Sequence, residues 1–217
     1  MLLGSPRAPA LAARLAALAP QGLLWDPWGA DGQPRRTAED GVVPGFHPGL
    51  ALCLARLLMA VTPADAPVVE GDDHALGEHQ ARELFAASML RGWDRAHDGL
   101  HACIGVEDGL ERLLQPVAHD AQNPAHDAKF VVIDARRPTA VQAEAIAAAA
   151  TLATRTLEGG YWDWYDRVWA FAWEHLRDHD LEGRWRPAAG VDAADDDGAT
   201  ATAMLQAILA GLRALSP

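Results

Sequence analysis

The chain has 217 residues, 50 % of them hydrophobic and 22 % charged, which is enough apolar material for one sizeable core and too ordinary a balance for disorder. Eighteen Lys and Arg against 30 Asp and Glu leave a formal charge of −12, a sign that works against phosphate-backbone binding and excludes nucleic acid as an expected partner. The short apolar run at the N-terminus is broken by Pro6 and Arg14 and nothing approaches a membrane span, so a single cytoplasmic domain over residues 1–217 is expected, with no membrane contact.

In chain order, Leu11, Leu15 and Leu18 keep helical spacing between Ala8 and Ala19, with Pro20 and Gly22 as the stop. Residues 22–49 repeat Pro and Gly without a sustained period and read as a long loop. Pro48 to Val61 is apolar on nearly every side and predicts a buried helix. Residues 62–77 are acidic and turn-rich, after which Leu84, Phe85, Ser88 and Met89 give helical spacing from Glu78 to Leu90, ended by Gly92. The Asp108-Gly109 pair between two short runs, Gly99 to Val106 and Leu110 to Val117, predicts a β-hairpin, and Phe130 to Ile133 suggests one more strand.

Pro138 to Ala153 is an alanine-rich helical segment. The next helix, about Tyr161 to Asp178, holds most of the aromatic mass: Trp162, Tyr165, Trp169, Trp173 and Leu176 follow at steps of three or four, the period of one buried stripe. An Ala/Asp/Gly tract leads to a closing helix from Ala199 to Leu215, with Asp195 to Asp197 near its positive end. The sum is an all-α chain of about six helices in roughly three pairs, with one small β-hairpin.

Few residues carry a signal for chemistry by type and spacing alone. Cys53 and Cys103 read as small buried residues in a helix and a strand. His175 and His179 stand four apart, which on one helix face suits zinc, but no third ligand accompanies them. Asp72, Asp73 and Asp195 to Asp197 lack an ordered spacing of oxygen ligands and read as solvated loop charge. There is no Gly-rich phosphate loop and no G-x-S-x-G turn, so neither a cofactor nor a metal is expected.

Several strings together resemble the N-acylglucosamine 2-epimerase and aldose-ketose isomerase family, over its C-terminal half. WDWYDRVWAFAWEHLRDHDLEGRW is similar to that family's outer helix rich in Trp and Tyr, with Trp173, His175, Asp178, Gly183 and Trp185 at the matching positions. VVPGFHPGLALCLARLL, residues 42–58, resembles its P-G-H-x-x-E segment; LFAASMLRGWDRAHDGLHACIGVEDG, residues 84–109, its G-W-D turn; and RRPTAVQAEAIAAAA, residues 136–150, its W-P-Q-x-E-A segment. The resemblance implies a partial (α/α)6 toroid with sugar chemistry at its mouth: proton transfer at C1 and C2 of a hexose or N-acylhexosamine through an enediol.

Such chemistry needs a base beside the carbonyl and a group to hold the developing enediolate. The resemblance assigns the sugar-lining glutamate to Glu144. It puts the expected histidine and glutamate of P-G-H-x-x-E on Phe46 and Gly49, with His47 one position late as the remaining base, and the Tyr-His pair before the last helix on Gly198 and Ala199. A relative with degenerate catalytic residues and weakened activity is therefore expected, and the alternative is a non-catalytic carbohydrate-binding or interaction module with tryptophan platforms. Taken alone, Glu144 is as compatible with a solvated helix glutamate, and His47 with loop packing. Three helix pairs in an open arc would leave apolar edges exposed, so a homodimer is expected.

Overall fold

Among the described residues Pro48–Val61 forms the first helix, here α1, with the bounds its apolar run and N-terminal proline predict. The computed structural model describes residues 19, 22–26, 45–61, 73–107, 129–180, 184–189 and 199–215; the expected first helix, apart from Ala19, and the acid tract at 195–197 lie outside them. Helix α1 buries Pro48, Ala51, Leu52, Ala55, Leu58 and Met59, one face at helical spacing. The expectation of burial on every side is corrected: Leu50 and Leu57 are 47 % and 51 % exposed.

The next helix, α2 (Asp73–Gly92), begins five residues before the expected start and runs back along α1. Ser88 near its end donates to the carbonyl of Leu84 at 2.7 Å, with the carbonyl of Pro48 at 3.5 Å, and a Cβ on Gly92 would lie 2.7 Å from the Pro48 ring. The C-terminal end of α2 thus meets the N-terminal end of α1, an antiparallel hairpin.

The long loop expected over 22–49 contains two short strands, β1 (Trp25–Asp26) and β2 (Gly45–Phe46). With β3 (Cys103–Val106) and β4 (Phe130–Asp134) they make a four-stranded antiparallel sheet in the order β1-β2-β3-β4. The hairpin expectation changes accordingly. Its Leu110 to Val117 arm lies outside the described residues, while β4 pairs with β3 along its whole length, from Cys103 against Asp134 to Val106 against Phe130. Gly45 is required in β2 because a Cβ there would collide with the Cys103 sulfur.

Helices α3 (Thr139–Thr156) and α4 (Gly159–His175) form a second hairpin across only Leu157 and Glu158. Leu157 takes a left-handed conformation, φ 59°, and its N–H caps the helix on the carbonyl of Ala153. Helix α5 (Ala199–Leu215) has the bounds expected from sequence. Helices α1, α3 and α5 lie side by side, α3 in the middle and also in contact with α4. Alanines 143, 145, 147–150 and 153 are all at most 4 % exposed, so small side chains let three helices approach α3 closely. Behind this layer α2 and the turn after it meet α4 and its N-cap through Phe85 on Tyr161, Trp93 on Trp164, and an Arg82–Glu158 ion pair.

The aromatic stripe is also corrected. On α4 the fully buried residues are Val168, Phe171 and Ala172, whereas Trp162, Tyr165 and Trp169 are half-buried and Trp173 is 54 % exposed. The buried line is rotated by about one residue, roughly 100° of helix, from the line through the largest side chains. Among the described residues no helix is long and apolar enough to cross a membrane.

Candidate functional site

Each of the two apolar helices α1 and α3 carries charge sparingly, and the charges meet. Glu144, one and a half turns into α3, receives Arg56 Nε at 3.1 Å on one carboxylate oxygen and Nη2 at 3.2 Å on the other. The side chains are 25 % and 31 % exposed, so the two-pronged pair lies at the edge of the core rather than in open solvent. Burial alone would lower the Arg56 pKa, but the hydrogen bond and charge of Glu144 outweigh it and hold the guanidinium above its usual value. Cys53, one turn earlier on α1, is pushed up by burial and by the Glu144 carboxylate, so it remains a thiol beside the pair. Glu144 is thus an ion-paired side chain at the edge of the core.

His47 occupies the single residue between β2 and α1, where its carbonyl accepts from the Ala51 N–H as the helix starts. Its Nε2 lies 3.6 Å from the sulfur of Cys103. Burial, with Asp134 and Asp26 adding to it, raises the Cys103 thiol to about 11, so this Cys-His contact supplies no thiolate at neutral pH. Asp134 is held below the ordinary carboxylate range, chiefly by hydrogen bonds from Arg136. Both cysteines are free thiols.

The structure brings Glu144 to Arg56 and His47 to Cys103 as two separate pairs; no hydrogen bond among the described residues links them. Phe46 is wholly buried and is paired with Trp25 and Ile104 in the sheet, so that position is a core anchor. Gly49 faces α3 at the closest approach of the two helix starts, where a Cβ would lie 3.0 Å from Val141 Cγ2. A side chain at this position would need the Val141 methyl group to give way by a few tenths of an ångström.

Sequence reasoning missed three groups. Arg56 is the only charge in PGLALCLARLLMAV, and an isolated charge in an apolar helix signals a partner elsewhere. Gln142 is completely buried and clamps the backbone of Leu100, accepting from its N–H at 2.9 Å and donating to its carbonyl at 2.9 Å. The third is the turn after α2: Trp93 Nε1 donates to Asp98 at 3.1 Å, Arg167 of α4 donates to the same oxygen at 2.9 Å, and the Arg167 guanidinium lies 4.9 Å from the Trp93 ring centre. Gly99 completes it with φ 84°, where a Cβ would strike the Phe171 ring at 2.5 Å. The G-W-D and Q-x-E strings therefore lock the turn to α3 and α4.

His175 closes α4 and His179 lies beyond it, bonded through Nε2 to the carbonyl of Glu174 at 3.2 Å, so the two histidines do not share a helix face. No group of three ligating side chains suited to a metal occurs among the described residues.

A family model described as N-acylglucosamine 2-epimerase (GlcNAc 2-epimerase) matches residues 25–203, most of the chain. The chain belongs to the N-acylglucosamine 2-epimerase family. Among solved structures it is similar to one described as the crystal structure of D-mannose isomerase, with 23 % identity and a TM-score of 0.68, over 96 % of this chain and 49 % of that one. The chain thus spans about half the length of that relative, and at this identity the likeness establishes the fold: a partial (α/α)6 toroid. No curated protein matches the chain. In toroid terms α1, α3 and α5 are the inner helices, α2 and α4 the outer ones, and Arg56–Glu144 bridges two inner helices.

Proposed function

We propose that this member of the N-acylglucosamine 2-epimerase family transfers a proton at C1 and C2 of a hexose or N-acylhexosamine, slowly, through an enediol. The observation that carries the reading is the Arg56–Glu144 pair spanning two inner helices. Arg56 fixes the carboxylate in one orientation, leaving lone pairs on both oxygens to accept sugar hydroxyls. His47 is the base: it removes the C2 proton and returns it to C1, while a proton leaves O2 and another reaches O1. One base on one face suits aldose-ketose isomerisation better than 2-epimerisation, which needs return from the opposite face. Weak activity follows from the separation of His47 from the Glu144 pair and from the loss of side-chain chemistry at Gly49.

The test is incubation of mannose, glucose, fructose and N-acetylmannosamine in deuterated water. Solvent deuterium is expected at C2 or C1, and a His47→Ala substitution should reduce its incorporation about 100-fold, the usual contribution of a positioned base. Absence of label with the native chain would sink the catalytic reading. A second reading, a non-catalytic carbohydrate-binding module, draws on the open cleft beside Asp166, Trp169, Trp173 and Glu174, about 530 Å³ in volume. Trp185 buttresses both tryptophans at 6.1 and 6.3 Å between ring centres, and two carboxylates flank them as hydroxyl acceptors. Sugar-dependent quenching of tryptophan fluorescence without deuterium uptake, abolished by Trp173→Ala, would favour it.

We also propose self-association with a second copy of the chain. Leu50 and Leu57 on α1, and Leu205, Leu209 and Leu212 on α5, are 42 % to 56 % exposed, and these helices flank α3 on its two sides. Apolar edges on both flanks of one layer suit isologous pairing of two arcs. Sedimentation at micromolar concentration should report a dimer that Leu57→Glu weakens; a compact monomer would overturn it.

A further inference from the structure

At the end of the arc where α3 begins and α4 finishes, a cleft of about 410 Å³ is lined by His97, Arg137, Glu174, His175, Arg186 and Ala189. Four backbone segments build it: the turn after α2, the approach to α3, the C-terminal end of α4, and the strand-like stretch 184–189 that follows it. They are tied together by hydrogen bonds, from the Ala189 N–H to the Arg137 carbonyl at 3.3 Å and from the Arg186 N–H to the Leu176 carbonyl at 2.7 Å. Thr139 at the start of α3 donates through its hydroxyl to the Arg186 carbonyl. The backbone under both arginines is therefore anchored.

The arginines differ in how they are held. Arg137 spends Nη1 on the carbonyls of His97 and Asp98, at 3.2 and 3.3 Å, and its guanidinium lies 5.8 Å from the Phe171 ring centre. The rest of that guanidinium remains available on the cleft side. The Arg186 side chain makes no hydrogen bond or ion pair among the described residues. His97 uses Nδ1 on Asp94 at 3.1 Å, leaving Nε2, and His175 is stacked on Phe171 at 5.0 Å between ring centres. The other carboxylates of the region are engaged: Asp94 accepts from the Ala96 and His97 N–H groups, and Asp98 from Trp93 and Arg167. That leaves two guanidinium groups, Arg137 held by its hydrogen bonds and Arg186 free to turn on an anchored backbone, lining the cleft with one carboxylate, Glu174, in a chain whose net charge is −12.

A local cationic cleft in an acidic protein selects an anion, and paired guanidinium forks match phosphate oxygens. Glu174 repels a second phosphate but accepts hydroxyls, and the volume is that of a small-molecule site. We propose that this cleft binds a phosphate-bearing polyol of sugar size, with the phosphate on Arg137 and Arg186 and its hydroxyls on Glu174 and the histidine rings. The proposal is independent of proton transfer at His47, because its test reads binding alone.

The experiment is titration calorimetry of the intact chain in a buffer free of phosphate and sulfate, with glucose 6-phosphate, inorganic phosphate and glucose as probes. Glucose 6-phosphate should bind at least tenfold more tightly than either of the other two. Arg186→Gln should weaken it tenfold or more, and Glu174→Ala should bring glucose 6-phosphate toward inorganic phosphate by removing the hydroxyl acceptor. Melting curves of both variants show whether the fold persists; both side chains border solvent, so a native-like melt is expected. Wild-type affinity in Arg186→Gln, equal binding of glucose and glucose 6-phosphate, or no glucose 6-phosphate binding at millimolar concentration would each overturn it.

Discussion

Helices α3 and α4 are hairpin partners of nearly equal length, 18 and 17 residues, yet they do opposite work. Helix α4 carries four tryptophans and fully buries only Val168, Phe171 and Ala172; α3 carries no aromatic residue and is buried along most of its length. The difference teaches that position in the layer, not side-chain size, decides which helix is central. A helix with neighbours on three sides has room only for small residues, whereas an outer helix can use large rings to reach across to α2.

The largest break in that contrast should come from Gln142 on α3. Replacement by Leu removes both partners of the buried Leu100 backbone, and two orphaned groups should lower stability by about 3 kcal/mol in a urea titration. Next, Ala149→Leu adds volume where the exposure is 0 %, so a loss of about 2 kcal/mol is expected from overpacking. Glu144→Gln leaves the part-buried Arg56 charge without its carboxylate and should lower stability by about 1 kcal/mol, between the values typical of exposed and buried pairs. If Glu144 also binds sugar, that variant weakens binding beyond what its melting point explains.

At the small end, Trp173→Ala on α4 should change stability by no more than about 0.5 kcal/mol, because the ring is already half in solvent. A loss comparable with that of Ala149→Leu would erase the distinction between the two helices. The tie between α4 and the turn has its own pH signature. Asp98 is held below its ordinary pKa, first by the hydrogen bond from Arg167 and then, against a small burial effect, by Trp93. A depressed carboxylate contributes stability that is present above the unfolded value, about 3.9, and is lost as pH falls through the lower folded one. The small difference between the native chain and Asp98→Asn at neutral pH should therefore shrink once pH falls below the unfolded value, and vanish only below the lower folded one. A difference that grows on acidification would contradict the assignment.

Local pattern was enough for much of this molecule. Helix α1 and helix α5 have the bounds their sequences predict, because each is an apolar run bracketed by Pro or Gly, α1 between Pro48 and Pro63 and α5 between Gly198 and Pro217. The family strings were legible too, and with them the toroid. Tertiary structure alone decided the rest. Sequence period put the aromatic stripe on the wrong line of α4, since period reports which residues share a face but not which face meets α2 and α3. It named Phe130 to Ile133 as a strand without a partner, and the sheet sets that strand, β4, against β3 from beyond a long intervening segment. The Arg56–Glu144 bridge joins residues 88 apart, and the Gln142 clamp joins residues 42 apart. Helical periodicity relates neighbours three or four positions apart, so contacts at these separations exist only once the inner helices lie side by side.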